Sequence, residues 1–236
     1  MLKKAVSAGV PLANRSMDFA SSKFLDMSDA NFGAFDRSKF AISVWYKLFT
    51  TGAQRHIWTQ GSSVNDISFQ LRFSASDKIE VFALDVPTNI DGQLTTTATF
   101  TDTTSWHHIL CHFDSANATP GDRMRLWHDG VEITDFETDN NPTAPVQDSA
   151  ASVVIGSDSN GTSNFFNGKL YQPAFFAGSL PDINDVFNAG AAKDVTGLLG
   201  LFSLLNTDDV VPLEDDFVLA TKWSNNGGVA KSVDIP

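Results

Sequence analysis

Three of the chain's five histidines fall within eight residues, Ser105-Trp-His-His-Ile-Leu-Cys-His112, and His128 follows soon after. Imidazoles at such density are the raw material of zinc sites and of general acid–base catalysis. The residues between them argue otherwise. Ile109, Cys111 and Phe113 alternate with polar positions as a strand does, which puts His107 on their face and puts His108 and His112 on the opposite face with Trp106 and Leu110. At about 3.3 Å per residue, His108 and His112 stand roughly 13 Å apart, too far to hold one ion. The expectation is four sheet histidines, neutral and bonded to backbone or neighbouring side chains, with no histidine-only zinc site. Cys111 is the single cysteine, so no internal disulfide forms, and its apolar context reads as a buried thiol.

Carboxylates offer a second chemistry. Retaining glycosidases need two carboxyl groups about 5 to 5.5 Å apart, and Asp135-Phe-Glu137-Thr-Asp139 is the nearest arrangement. It runs straight into Asn140-Asn-Pro142, so it reads as an exposed strand end or loop and the chain is expected not to be an enzyme. A third chemistry is sugar binding, in which aromatic planes stack on rings while amides and carboxylates bond hydroxyls. The candidates are Trp58 with His56 and Gln60 on one strand, Trp127 with Arg125 on another, and Asn160 and Asn164 in the loop from Gly156. Core packing is the alternative for each tryptophan. Asp158 and Asn160 offer oxygens to calcium, the one cofactor considered, against the alternative of a turn that bonds its own backbone.

The elements that must position these groups read as strands. Short runs rich in Phe, Ile, Val, Trp and Thr are divided by Gly, Asn, Asp and Ser from Met17 to about Phe176. Expected strands are 16–19, 24–27, 40–48, 55–60, 67–73, 78–84, 95–100, 105–113, 124–129, 131–134, 152–155 and 168–176. Phe40, Ile42, Val44 and Tyr46 share one face, and the other is small except for Trp45, whereas Ile67-Ser-Phe-Gln-Leu-Arg-Phe73 alternates as a strand with one wet face. Two helical pieces are expected. One runs over 179–188, with Ser179 as N-cap and Gly190 at its stop; the other runs over 195–205, where Gly197 and Gly200 oppose it. Phe165-Phe166 and Phe175-Phe176 each send one ring away from the core, to an interface or beneath a C-terminal extension. The reading is all-β: an antiparallel sandwich with an N-terminal arm (1–15), a main domain (16–190) and an extension (191–236).

Totals limit partners. A net charge of −12, with only four Glu among 28 acids, opposes phosphate backbones and anionic lipid, so neither nucleic acid nor membrane insertion is expected. Gly9 and Pro11 break the apolar run of the first residues, which reads as neither a signal peptide nor a transmembrane segment.

Six pieces resemble, in order, successive strands of laminin G-like jelly-roll domains of the concanavalin A-like lectin and glucanase fold. They are Ser16-Met-Asp-Phe-Ala20, Phe24-Leu-Asp-Met27, Phe40-Ala-Ile-Ser-Val-Trp-Tyr46, Ser105-Trp-His-His-Ile109, Arg125-Leu-Trp-His-Asp-Gly-Val131 and Phe166-Asn-Gly-Lys-Leu170. The resemblance implies two curved antiparallel sheets whose loops or concave face carry binding sites in many members. The chain departs from it at Tyr171-Gln172-Pro173, where many relatives carry acids. Its last residues, from Lys222, look like endings of bacteriophage jelly-roll proteins. The expectation is a non-catalytic binding or structural module on a virion surface, extracellular after lysis, whose partners are other virion proteins, copies of itself or a cell-surface glycan.

Overall fold

Residues 39–48 show the rule that builds the molecule. Phe40, Ile42, Val44, Tyr46 and Leu48 point one way into the core, and Ala41, Ser43 and Trp45 point the other way. The computed structural model describes residues 16–19, 22–28, 35–63, 66–86, 89–147, 152–159, 161–195, 198, 201–204, 224–226, 230–232 and 234–236. The expected arm over 1–15 lies outside the described residues. In chain order the strands are β1 (Ser16–Phe19), β2 (Phe24–Met27), β3 (Lys39–Leu48), β4 (Arg55–Ser63), β5 (Asp66–Phe73), β6 (Ile79–Val86), β7 (Asn89–Thr96), β8 (His107–Asp114), β9 (Met124–His128), β10 (Val131–Ile133), β11 (Phe136–Asn140), β12 (Val153–Ile155) and β13 (Gly168–Ala177). A single helical turn, α1 (Ile183–Val186), precedes β14 (Phe187–Asn188), β15 (Ala191–Ala192), β16 (Leu201–Leu204), β17 (Ser224–Asn226) and β18 (Ala230–Ser232).

Two antiparallel sheets face each other. The first runs β10-β9-β8-β3-β13-β1-β18 with β16 also on β13, and the second runs β11-β7-β6-β5-β4-β12-β2-β17. Their inner faces interdigitate through rings: Phe175 of β13 stacks on Trp58 of β4 at 5.6 Å, and Phe40 of β3 meets Phe69 of β5 edge-on at 5.0 Å. Each fully buried side chain of this size contributes about 1.5–3 kcal/mol, and each ring pair a further ~0.5–1.5 kcal/mol. Two of the register shifts decide which rings face the core. β4 carries an extra residue at Ile57, and β13 carries one at Gln172-Pro173, where a residue without an N–H breaks no ladder bond.

The outer face of the first sheet, small except for Trp45 along β3, is dry as well. The segment after β13 folds back over it. Phe176, Leu110 and Trp127 pack with Leu180, Ile183, Val186, Val195 and Leu198, and Trp45 stacks on Phe187 at 5.5 Å. The outward ring of the Phe175-Phe176 pair is thereby buried.

Three local expectations need correction. The helix over 179–188 shrinks to one turn capped by Asp182, which accepts from the Asn184 N–H at 2.8 Å; Ala189 and Gly190, both at positive φ, then turn the chain into the β14–β15 hairpin. The helix over 195–205 is overturned at its C-terminal half, because β13 offers an unpaired edge that residues 201–204 complete as β16, and the sequence's glycines give a helix little to compete with. The strand over 95–100 sits early: β7 starts at Asn89, and Gly92 serves close packing rather than a turn, since a Cβ there would meet Met124 Sδ at 2.7 Å.

One buried ion pair ties the loops at one end. Arg55 is 1% exposed; its Nη2 pairs with Asp77 and its Nη1 donates to the Thr50 carbonyl. Asp77 also accepts from the Gly52 N–H at 2.9 Å, and its carbonyl accepts from the Phe100 N–H at 2.8 Å. Asp77→Asn keeps a residue that tolerates the φ of 59° there while removing the charge. We expect it to cost ~3–5 kcal/mol in urea unfolding, as for a broken buried pair; a loss of ~0–1 kcal/mol, the range of an exposed pair, would contradict the sealed geometry.

His108 and His112 lie under the folded-back segment. His108 Nε2 shares a hydrogen bond with Ser43 Oγ at 2.9 Å, and His112 Nε2–H donates to the Pro181 carbonyl at 2.9 Å. Burial holds His108 down at about 3 and His112 at about 4. Both values lie below that of an unfolded imidazole, about 6.5, so their stabilising contribution is complete above that pH and drains as the pH falls towards 4. Each ring removes about 1.4 kcal/mol per pH unit over that window. Urea midpoints measured from pH 7 to pH 4.5 should fall, and the slope should flatten in His112→Gln; an unchanged slope in that variant would refute the assignment.

Candidate functional site

At the end of the sandwich where β3 stops and β4, β8 and β13 begin, two groups of polar residues come together. The first lines an open cleft of about 370 Å³ formed by Ser22, Thr50, Ala53, Gln54, Arg55, Asn164, Phe165 and Asn167. Its walls are loops pinned to one another: the Phe49 N–H donates to the Asn167 carbonyl at 3.0 Å, Asn167 Nδ2 donates to Thr50 Oγ1 at 3.2 Å, and the His56 N–H donates to the Asn164 carbonyl at 3.0 Å. Ser22 and Asn164 both sit at positive φ, which turns these loops sharply at the rim. Phe165 is half-buried against Phe24, with ring centroids 6.4 Å apart, and closes one side.

Behind the cleft the hydrogen bonds fix a tautomer. Gln54 Nε2 can only donate to His56 Nε2, at 2.9 Å, so His56 carries its proton on Nδ1 and gives it to Thr59 Oγ1 at 3.0 Å. Thr59 in turn donates to the Ser157 carbonyl at 3.1 Å. Burial, with the nearby Arg72 charge, lowers His56 to about 3, so this chain of donors stays neutral and fixed. Its effect is to orient the Gln54 amide at the rim.

The second group surrounds the turn after β9. His107 Nδ1 lies 2.6 Å from Asp129 Oδ2, His128 Nδ1 lies 3.5 Å from the same oxygen, and the Asp129 Oδ1 accepts from the His108 N–H at 2.7 Å. Outside them, His107 Nε2 lies 3.3 Å from Asp102 Oδ2 and His128 Nε2 lies 2.8 Å from Tyr46 Oη. The bond to Asp129 raises His107 above an ordinary imidazole, whereas burial lowers His128 to about 4. Burial alone would raise the Asp129 carboxyl, but hydrogen bonds from His107 and His108 outweigh it and hold it low. Thr104 and Ser105 hold the Asp102 carboxyl below its ordinary range.

The residues expected to bind sugar do not form one site. Trp58 is a correction: the bulge at Ile57 shifts the parity of β4, so His56 stays on the outer face while Trp58 turns into the core against Phe175. Gln60 lies beside Phe69, 4% exposed. Arg125 and Trp127 stand on the first sheet; Arg125 is forked onto Glu132 at 2.6 and 2.7 Å and lies over Trp127, whose other neighbours include His112 at 4.5 Å. Asn164 lines the cleft and His56 supports it from behind. Asn160 lies outside the described residues. Asp158 accepts from the Thr162 N–H at 3.0 Å and from the Ser163 hydroxyl, so both carboxylate oxygens serve the loop itself. Burial would raise its carboxyl, and these bonds outweigh it.

Asp135, just before β11, and Glu137 and Asp139 on it are exposed at the edge of the second sheet. Thr97 Oγ1 donates to Asp135 at 3.0 Å, Asn141 Nδ2 donates to Asp139 at 3.4 Å, and Glu137 pairs with Lys78. They decorate a wet edge. Sequence reasoning missed Gln54, Asn167, Phe165 and the whole second group. It compared histidines along one strand, whereas His107 and Asp129 meet across the β8–β9 pair, and the signal that leads there is the Asp129-Gly130 hairpin.

A Bacteroides ovatus protein described as a candidate carbohydrate binder shares 13% identity at a TM-score of 0.68, over 94% of this chain and 60% of that one. This chain therefore spans about three fifths of that protein's length. The native heptameric SAP-like pentraxin from Limulus polyphemus shares 12% identity at a TM-score of 0.57, over 94% and 96% of the two chains. The NanB sialidase of Streptococcus pneumoniae, as its K499G mutant, matches at 12% identity and 0.51, over 77% of this chain and 30% of that one. At such identities the likeness is one of fold. No curated protein sequence matches. Residues 20–182 match the family model described as the concanavalin A-like lectin/glucanases superfamily, and the chain belongs to that family.

Proposed function

We propose that the chain is a non-catalytic jelly-roll module that binds a neutral glycan in the cleft at the end of the sandwich. The observation that carries this reading is the lining itself: the carboxamides of Gln54, Asn164 and Asn167 and the hydroxyls of Ser22 and Thr50 beside the ring of Phe165. Carboxamides and hydroxyls both donate and accept, as sugar hydroxyls do, and a half-buried ring offers an apolar patch to a pyranose face. The one cation at the wall, Arg55, is already neutralised by Asp77, which favours uncharged sugars over acidic ones. The description of the Bacteroides ovatus protein as a candidate carbohydrate binder is consistent with this reading. The finer setting we propose, an exposed virion module contacting other virion proteins or copies of itself, rests on the resemblance of the residues from Lys222 onward to phage jelly-roll endings.

A glycan array followed by calorimetry on the best neutral hit tests the cleft. Removing one amide contact costs about 0.5–1.5 kcal/mol, so Asn164→Ala and Gln54→Ala should each weaken binding about 3- to 10-fold, with Phe165→Ala at least as harmful. EDTA should leave the affinity unchanged, because the oxygens of Asp158 are already bonded within its own loop. A folded protein that binds no neutral glycan would overturn the reading, and released reducing ends would overturn its non-catalytic part. Immunogold labelling of intact particles, or its absence, decides the virion setting.

A further inference from the structure

We propose that His107, His128 and Asp129 form a binding site for one divalent transition-metal ion of the zinc class, with the fourth coordination position open to solvent. The three donor atoms, one from each residue, lie within 4.8 Å of one another. Two imidazole nitrogens and one carboxylate oxygen suit zinc, cobalt, nickel or copper and do not suit calcium, which takes six to eight oxygens. A tetrahedral ion with ligand bonds of about 2.0–2.2 Å needs donors roughly 3.4 Å apart. His128 Nδ1 and Asp129 Oδ2 already stand at 3.5 Å. His107 Nδ1 and Asp129 Oδ2, at 2.6 Å, share a proton that the ion would displace, and their separation must open by less than an ångström. The two rings, stacked with 26° between their planes, must splay to aim both nitrogens at one point.

The surroundings are the independent argument. A metal-bound histidine almost always gives its other ring N–H to a carboxylate, a carbonyl or water, which fixes the tautomer and raises the basicity of the ligand. Both rings here have an oxygen acceptor in place: the Asp102 carboxylate Oδ2 for His107 Nε2 at 3.3 Å, and the Tyr46 hydroxyl for His128 Nε2 at 2.8 Å. Asp129 is anchored through its other oxygen by the His108 N–H, so Oδ2 stays directed at the rings. Side chains of Asp129 and Asp102 are 37% and 40% exposed, which gives the ion a path in and leaves room for water at the fourth position. The sugar-binding cleft takes no part in this site, so either proposal can fail alone.

The test uses the full, untagged chain titrated with cobalt(II) and with zinc by competition. The expected result is one ion per chain with the visible absorption of four-coordinate cobalt, lost on addition of zinc. His128→Gln and Asp129→Asn should weaken binding at least about 100-fold, since each removes a ligand, and Asp102→Asn should weaken it about 10- to 100-fold as a change behind a ligand. Asp102 lies at the surface, so that variant reports on the site even where the ligand variants unfold; circular dichroism identifies any that do. Three results would overturn the proposal: cobalt that keeps the spectrum of the hydrated ion, binding that survives unchanged in folded Asp129→Asn, or an affinity indifferent to Asp102→Asn.

Discussion

Phe175 lies flat on Trp58 across the gap between the two sheets, and the rest of the architecture is arranged so that this and its neighbouring ring contacts can form. Interiors pack as densely as organic crystals, so two sheets of large rings must interlock rather than merely face each other. That demand explains the bulges. Without the extra residue at Ile57, strict alternation would hold His56 and Trp58 on one face, leaving either a histidine in the core or an indole outside it. With it, Ile57 and Trp58 both turn inward while His56 keeps to the polar side. The bulge in β13 similarly lets Leu170 and Phe175 both point inward while Tyr171, Ala174 and Phe176 point out.

The same packing decides where function can reside. The first sheet is covered on its outer face by residues 178–195 and Leu198, so Trp45, His108 and Trp127 are structural even though their types invite other readings. The chain's end is drawn onto this sheet too. Asp234 accepts from Trp106 Nε1 at 3.0 Å, Lys169 Nζ at 2.9 Å and Lys47 Nζ at 3.1 Å, and these bonds outweigh burial to hold its carboxyl at about 2. A carboxylate bonded by a lysine of β3, a lysine of β13 and the indole just before β8 is a clasp. Polar chemistry is left to the loops and to the strand ends beside them.

Alternation was legible in the sequence, and most inner-face positions could be read from it: Phe40 to Tyr46, Phe69 to Phe73, Ile109 to Phe113. A period of two holds wherever no residue is inserted, and it fails silently where one is. Trp58 was misplaced for that reason, since nothing local in Arg55-His-Ile-Trp-Thr-Gln60 announces a bulge. Burial of the outward ring of Phe175-Phe176 was one of two readings the sequence left open, and the choice between them was illegible because it depends on a segment more than a hundred residues away from β3. Residues 201–204 were misread for a related reason: their helical spacing is real, but strand pairing with β13 is a tertiary choice that a local pattern cannot weigh. The faces of the β8 histidines were read correctly one strand at a time. What no single strand contains is the meeting of His107 with His128 and Asp129, which requires the β8–β9 register of Ile109 against His128.

That meeting, the cleft and the buried ion pair occupy one end of the sandwich, and they are physically continuous. Arg55, at the cleft wall, lies over Phe73, with its charge centre 5.4 Å from the ring centroid; Phe73 meets Tyr46 edge-on at 5.1 Å; and the Tyr46 hydroxyl bonds His128. A second route runs through the backbone, because Asp77 holds the Phe100 N–H and the Phe100 ring lies 4.5 Å from His128. Burying a charged pair costs several kcal/mol per ion before attraction repays it, so apolar packing alone would hold these loops at less cost. The ion pair instead supplies direction: the guanidinium and the carboxylate bind each other, the Thr50 carbonyl and the Gly52 N–H, where an apolar plug would accept many arrangements. The ends of a sandwich lack the ladder bonds that fix its middle, so a buried, directional contact is what keeps side chains on different loops at fixed separations there. The amides around Gln54 and the imidazoles around Asp129 are both joined to that one contact, the first through Arg55 in the cleft wall and the second through Phe73, Tyr46 and Phe100.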